Sequence, residues 1–202
     1  MSESSQITAV LDTNVLFPPV LRDTLLYAAA FRLFRPVWSA QTWEELARNL
    51  VAKGGLSEPA AVRRMSFMTQ AFPYAMAVPP PELIAALKNH PKDRHVLAAA
   101  IQSGAGIIVT QNLKDFPAEV VTEHGIAALH ADAFLCSLLR TDAERLLRSI
   151  HHHAARLRHP PMAASDLLSA LSRHAPGFVR AAAPLLAGDD PGSGAGGVSG
   201  GP

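Results

Sequence analysis

Two short apolar runs constrain this chain more than any other feature. Residues 7–11 (Ile-Thr-Ala-Val-Leu) and 107–110 (Ile-Ile-Val-Thr) are rich in β-branched side chains and too short for a helix. Each gives way at once to a polar stretch, Asp12-Thr13-Asn14 in the first case and Gln111-Asn112 in the second. Runs of this kind read as strands buried on both faces, and such strands belong to parallel sheets covered by helices.

The segments between them support that reading. Pro18-Pro19 open a helix expected to run to about Phe34, because proline is tolerated in a first turn, and Pro36 stops it. Val37-Trp38 form a brief second strand. Ser39 is placed to cap a helix carrying Trp43, Leu46 and Leu50 at helical spacing, which Gly54-Gly55 end. Ser57 caps a further helix through Met68. Residues 74–78 are a third strand candidate, followed by a proline-rich turn and a short helix with Leu83, Ile84 and Leu87. An alanine-rich helix runs from Asp93 to about Ser103, residues 107–110 form the fourth strand and 127–129 a last one. Strands alternating with helices predict an α/β fold with a mostly parallel sheet flanked by helices over residues 6–130.

The pattern changes after residue 130. Asp132 is placed to cap a short helix, and Thr141 with Glu144 has the form of a capping box. Leu146, Leu147, Ile150, Ala154 and Leu157 follow as an apolar stripe. Pro160-Pro161 break the chain before a stripe at Leu167, Leu168 and Leu171 and a weaker one over 178–186. Residues 131–187 therefore read as an all-helical C-terminal appendage. Residues 188–202 are Gly-rich without apolar periodicity and are expected to be disordered. The appendage holds 7 Lys+Arg against 4 Asp+Glu and five of the nine histidines, whereas residues 1–130 balance at 11 and 11. Its positive charge suggests an RNA surface through Arg145, Arg148, Arg156 or Arg158, or a cover over a partner groove; packing against the back of the sheet is the structural alternative. His151-His152-His153 point in different directions on a helix, cannot jointly chelate one ion and read as a solvated or partner-facing face.

Cys136, the single cysteine, excludes a disulfide framework and a thiolate zinc site, fits a reducing compartment, and reads as buried packing beside Phe134, Leu135 and Leu138. Residues 1–6 show no signal-like pattern, and the apolar stretch at 25–34 is interrupted by Arg32 and too short for a bilayer. A cytoplasmic protein with no membrane contact is expected.

Four acidic motifs carry the chemistry: Asp12 in Val-Leu-Asp-Thr-Asn-Val, Glu45 in Thr-Trp-Glu-Glu-Leu, Asp93 in Lys-Asp-Arg-His-Val-Leu, and Asp115 in Thr-Gln-Asn-Leu-Lys-Asp-Phe. Asp12 and Asp115 lie at or just beyond strand ends, the edge where α/β sheets bind ligands. Carboxylates gathered there cannot all ionise cheaply without a cation, and hard oxygen donors select Mg²⁺ or Mn²⁺. A D-x-D-x-T phosphatase needs an aspartate where this chain has Asn14, so that reading falls away.

These motifs, in this order and separated by 33, 48 and 22 positions, resemble the PIN-domain ribonucleases, and most of all VapC-type toxins of bacterial toxin–antitoxin pairs. The resemblance covers about residues 6–130. It implies a metal-dependent endoribonuclease with Asp12, Glu45, Asp93 and Asp115 as catalytic residues. Asp12 and Asp93 would ligate Mg²⁺ or Mn²⁺, as would Asp115 and Glu45, directly or through water. The family pattern sets its glutamate immediately before leucine, which selects Glu45; Glu44, about 100° round the helix, is left to solvent. Thr13 and Asn14 can hold the Asp12 carboxylate, Thr110 and Asn112 can orient a carboxylate or water, and Arg94 and Lys114 stand where phosphate contacts would form. Phe116 packs the last loop down. The implied partners are RNA, a VapB-like antitoxin and a second copy of the chain as a homodimer. A PIN nuclease of RNA processing, or an RNA-binding PIN module, is the alternative; the complete acidic quartet argues against an inactive module.

Overall fold

The computed structural model describes residues 6–157 and 161–188. The expectations for Arg158 and for the Gly-rich tail beyond residue 188 lie outside the described residues.

The chain runs through β1 (Thr8–Leu11), α1 (Thr13–Leu16), α2 (Pro19–Ala30), β2 (Arg35–Ser39), α3 (Ala40–Ala52), α4 (Glu58–Ala71), β3 (Met76–Ala77), α5 (Pro81–Ala86), α6 (Arg94–Ser103), β4 (Ile107–Thr110), α7 (Ala118–Thr122) and β5 (Ala127–His130). Helices α8 (Ala131–Thr141), α9 (Ala143–Arg156), α10 (Ala164–Leu171) and α11 (Pro176–Gly188) follow. The five strands pair in the order β3-β2-β1-β4-β5, all parallel. The chain thus builds outward from β1 in one direction and then crosses back to β4. The switch in direction opens a crevice at the carboxyl ends of β1 and β4, where ligands of such sheets bind.

Side-chain alternation divides the core into two faces. Ala9, Leu11, Trp38 and Val109 point to one, under α2, α3, α4 and all four C-terminal helices. Val10, Val37 and Ile108 point to the other, under α6, with Leu87 and Val121 beside them. Both faces are covered, which is why the strands are apolar without interruption.

The sequence expectations need correction at several points. Helix α2 ends at Ala30, and Arg32 turns the chain at φ 61°. Pro36 lies inside β2, where its missing N–H faces the β3 side; β3 pairs only with Trp38 and Ser39, so no ladder bond is lost. Thr141 closes α8, its hydroxyl donating to the Ser137 carbonyl at 2.9 Å, and Asp142 caps α9 by accepting from Arg145 N at 2.9 Å. Asp132 does not cap its own helix. His130 does, and the Asp132 carboxylate accepts from Gly177 N at 3.0 Å and Phe178 N at 2.7 Å, capping α11 across space. His153 is buried at 2% exposure and stacks on Tyr27 with ring centroids 4.6 Å apart, while His151 and His152 remain exposed. Cys136 is half-buried at the margin of the core.

The C-terminal helices share the sheet's own core. Phe134 of α8 meets Phe34 edge-on, centroids 5.0 Å apart at 87°, and Leu135, Leu146, Ile150, Leu167, Leu171 and Phe178 are fully buried in the same cluster. The back-of-sheet alternative describes this packing. Of the arginines considered for RNA contact, Arg145 pairs with Asp142 at 3.1 Å and Arg148 with Glu144 at 3.6 Å, and Arg156 is exposed.

Candidate metal centre

Asp12 stands where β1 meets α1. Its backbone N–H still donates to the Val109 carbonyl at 3.1 Å, and its extended conformation (φ −74°, ψ 157°) makes it the cap of α1. One carboxylate oxygen accepts from Thr13 N at 2.6 Å. The other accepts from Asn14 Nδ2 at 2.6 Å and the Thr110 hydroxyl at 2.8 Å. Asn14 also reaches across to β4, its Oδ1 accepting from Gln111 N at 2.8 Å. The two strand ends are therefore tied together by side chains that hold one carboxylate, and that carboxylate is only 4% exposed.

The other acids converge from three elements. Glu45 on α3 is half-buried, and its Oε2 accepts from the Thr13 hydroxyl at 2.7 Å. The Thr13 side chain thus holds Glu45, and only its backbone serves Asp12. Glu44 is exposed. Asp93 closes a single 3-10 turn, Pro91–Asp93, rather than lying in α6, and its Oδ2 is 3.1 Å from His90 Nδ1. Asp115 ends a similar turn after β4 and accepts from Asn112 Nδ2. Phe116 beneath it is 2% exposed. Lys114 is exposed, whereas the Arg94 guanidinium donates to the Asn89 carbonyl at 3.2 Å and is occupied in holding its own loop.

His90 and Ser39 join the site without having been singled out for it from the sequence, and His95, which follows Arg94 in the Asp93 motif and reads there only as a phosphate contact, joins it as a buried group. A ring nitrogen of His90 and one carboxylate oxygen each of Asp93 and Asp115 lie within 4.8 Å of one another. His95 on α6 is buried; its Nδ1 is 2.6 Å from the Ser39 hydroxyl, and its Nε2 faces Glu45 Oε1 at 3.7 Å with no hydrogen-bond partner. The spacing His90-Pro-Lys-Asp93 was the one available signal, since residues three apart across a tight turn share a side.

Electrostatics show what the cluster lacks. Burial, with the nearby Asp93 and Glu45 charges, outweighs the Thr110 and Thr13 hydrogen bonds and raises the Asp12 pKa to about 6. Burial and the Asp115 charge raise that of Asp93, against the opposing pull of His90. Burial lowers that of His95. Among the described residues no Lys or Arg pairs with Asp12, Glu45, Asp93 or Asp115. The donor set, oxygen-rich and short of positive charge, fits a hard divalent cation.

The raised Asp12 pKa has a measurable consequence. Below the ordinary value of 3.8 the carboxyl is protonated folded or unfolded and costs nothing. As pH rises through 3.8 to about 6 the unfolded chain loses its proton first, so Asp12 withdraws stability. The full loss, reached above pH 6, is about 3 kcal/mol, since one pKa unit is worth about 1.4 kcal/mol. Denaturant unfolding of the metal-free protein at pH 4 and pH 7 should show Asp12→Asn gaining on the parent by up to that amount. Added Mn²⁺ should close the gap at pH 7 by binding the folded parent. A difference independent of pH would mean that Asp12 carries no such strain.

The PIN domain family model matches residues 8–114, and the VapC50 C-terminal domain model matches residues 131–184. A protein of Mycobacterium tuberculosis named "Putative ribonuclease VapC50" is 41% identical over 110 residues, 54% of this chain and 65% of the relative. The match thus spans just under two thirds of that relative's length. No solved structure matches the chain at a significant level. The PIN domain match takes in every strand from β1 to β4 together with Asp12, Glu45 and Asp93, and stops one residue short of Asp115. Covering more than half of the chain, it shows that the chain belongs to the PIN domain family.

Proposed function

We propose that the protein is a metal-dependent endoribonuclease, the toxin of a VapBC-type pair, which hydrolyses RNA phosphodiester bonds in the cytoplasm and is neutralised by a VapB-like antitoxin. One observation carries this reading: a buried aspartate at the switch point of a parallel sheet is crowded by further carboxylates, and among the described residues no Lys or Arg pairs with them. The name of the mycobacterial relative and the match of the C-terminal helices to a VapC50 model support the ribonuclease and toxin parts. Among the described residues no helix is long and apolar enough to cross a membrane.

Asp12, Asp93 and Asp115 would hold Mg²⁺ or Mn²⁺. When bound, such an ion eases deprotonation of water and neutralises charge on the phosphoryl oxygens. The protein's own part is orientation. Thr13 Oγ1 fixes Glu45 through Oε2, which leaves Oε1 to take a proton from the attacking water. Thr110 and Asn14 keep the Asp12 carboxylate in one rotamer, and Asn112 does the same for Asp115. Exposed Lys114 beside Asp115 adds positive charge for the RNA backbone.

The test is RNA cleavage by the purified chain with Mn²⁺ or Mg²⁺ and with chelator. Glu45→Gln should lose ~100-fold or more, the scale of a general base. Exposed Glu44→Gln should stay within about twofold, as surface changes do. Absence of metal-dependent cleavage, or the reverse ranking of the two glutamates, would overturn the assignment. Induced expression should arrest growth with the parent and not with Glu45→Gln; unchanged growth with both would remove the toxin part of the reading.

A further inference from the structure

We propose that His90 is a nitrogen ligand of the cation site, and that it makes the site prefer Mn²⁺ over Mg²⁺. This rests on the metal centre proposed above and goes beyond its acidic residues.

Three observations place the imidazole in the site. First, the His90, Asp93 and Asp115 donor atoms form one compact group, with every pair inside 4.8 Å. Second, His90 Nδ1 lies 3.1 Å from Asp93 Oδ2. Two donors at right angles around an ion with bonds of about 2.1 Å stand ~3.0 Å apart, so this pair already has the spacing of neighbouring ligands in an octahedral site. Third, the turn that sets the pair is held from both sides. Pro91 fixes the backbone between them, Asp93 N donates to the His90 carbonyl at 2.9 Å, and the Arg94 guanidinium ties down the preceding Asn89 carbonyl at 3.2 Å.

The surroundings favour an ion over a simple His–Asp pair. The Asp93 carboxylate is pushed against Asp115 as well as drawn to His90. One imidazole proton satisfies one carboxylate, whereas a divalent ion satisfies both. Deeper in the same cluster the buried His95 Nε2 has no hydrogen-bond partner and faces Glu45, so the inner wall also keeps an unsatisfied polar atom. The His90 side chain is 49% exposed and the Asp93 side chain 21%, which leaves the outer side open to water and to a phosphate oxygen.

Ion choice follows from donor chemistry. Mg²⁺ is a hard ion that keeps oxygen ligands and waters. A neutral imidazole nitrogen suits first-row transition ions better, and Mn²⁺ is the hardest of them, still at home among carboxylates. His90 therefore adds affinity for Mn²⁺ and little for Mg²⁺.

The experiment titrates Mn²⁺ and Mg²⁺ separately into the metal-free full chain, parent and His90→Asn, by calorimetry, and records pulsed EPR of bound Mn²⁺. The parent should show a histidine ¹⁴N coupling that His90→Asn lacks. His90→Asn should lose ~10-fold or more in Mn²⁺ affinity and change about twofold or less for Mg²⁺. Mn²⁺ bound without the coupling, a coupling that survives in His90→Asn, or equal losses for both ions would overturn the proposal. So would unaltered Mn²⁺ affinity in His90→Ala, a second variant that serves if the asparagine fails to fold. These failures leave the nuclease reading intact as long as Glu45→Gln still abolishes cleavage. Absence of any Mn²⁺ binding overturns both.

Discussion

Asp12→Asn is expected to abolish RNA cleavage, with a loss of ~1000-fold or more at pH 7, while the protein remains folded. A bound metal supplies several kcal/mol of charge stabilisation at the reacting phosphate, and each 1.4 kcal/mol is about tenfold in rate. Asp12 is the innermost acid, 4% exposed and held by three donors. The amide keeps the side chain's shape and removes its charge. Because that charge costs the metal-free protein stability above pH 6, the variant should unfold no more easily than the parent in chelator. Loss of activity through misfolding would show itself as the opposite result. Initial cleavage rates on a single-stranded RNA, with unfolding curves on the same samples, decide the matter. Full activity in the folded variant would dismiss Asp12 as a ligand.

The second large effect concerns the C-terminal helices. Phe134→Ala is expected to cost about 3–5 kcal/mol, the range for deleting a buried aromatic side chain. The loss should appear as one cooperative transition that takes the sheet with it, because Phe134 packs on Phe34 and both belong to the cluster under β1, β2 and β4. For the same reason a chain ending at His130 should fail to fold, its sheet face being stripped of α8–α11. Urea unfolding followed by tryptophan fluorescence, which reports Trp38 and Trp43 beside the sheet, and by far-UV circular dichroism checks this. Two separated transitions, or a folded chain ending at His130, would show instead that residues 6–130 stand as an independent domain.

Much of the site was legible in the sequence because its parts are local. A strand that ends in Asp-Thr-Asn places the aspartate at the sheet edge, helical spacing lets only one of Glu44 and Glu45 face the site, and the resemblance to the PIN-domain pattern selects Glu45. The places the two histidines take were not legible. His90 matters because a 3-10 turn eclipses it with Asp93, and His95 because α6 buries its ring between Ser39 and Glu45. Thr13 was read as a partner of Asp12, yet its hydroxyl turns to Glu45, 32 residues away. Capping signals misled for a related reason. Asp132 has the right side chain and position to cap α8, but the free N–H groups of α11, 45 and 46 residues on, lie within its reach.

The alternation of strands and helices and the all-helical character after residue 130 were readable from the sequence, because each depends on side-chain periodicity or on a residue's place within its own element; the four acids were singled out by their motifs and by the resemblance to the PIN-domain pattern. The strand order β3-β2-β1-β4-β5, the union of the C-terminal helices with the sheet's core, and the meeting of His90, Asp93 and Asp115 emerge from the folded chain alone. Those facts depend on which surfaces meet after the chain crosses back from β3 to β4. Contacts between residues far apart in the chain are set by the packing of whole faces, and no local pattern records them.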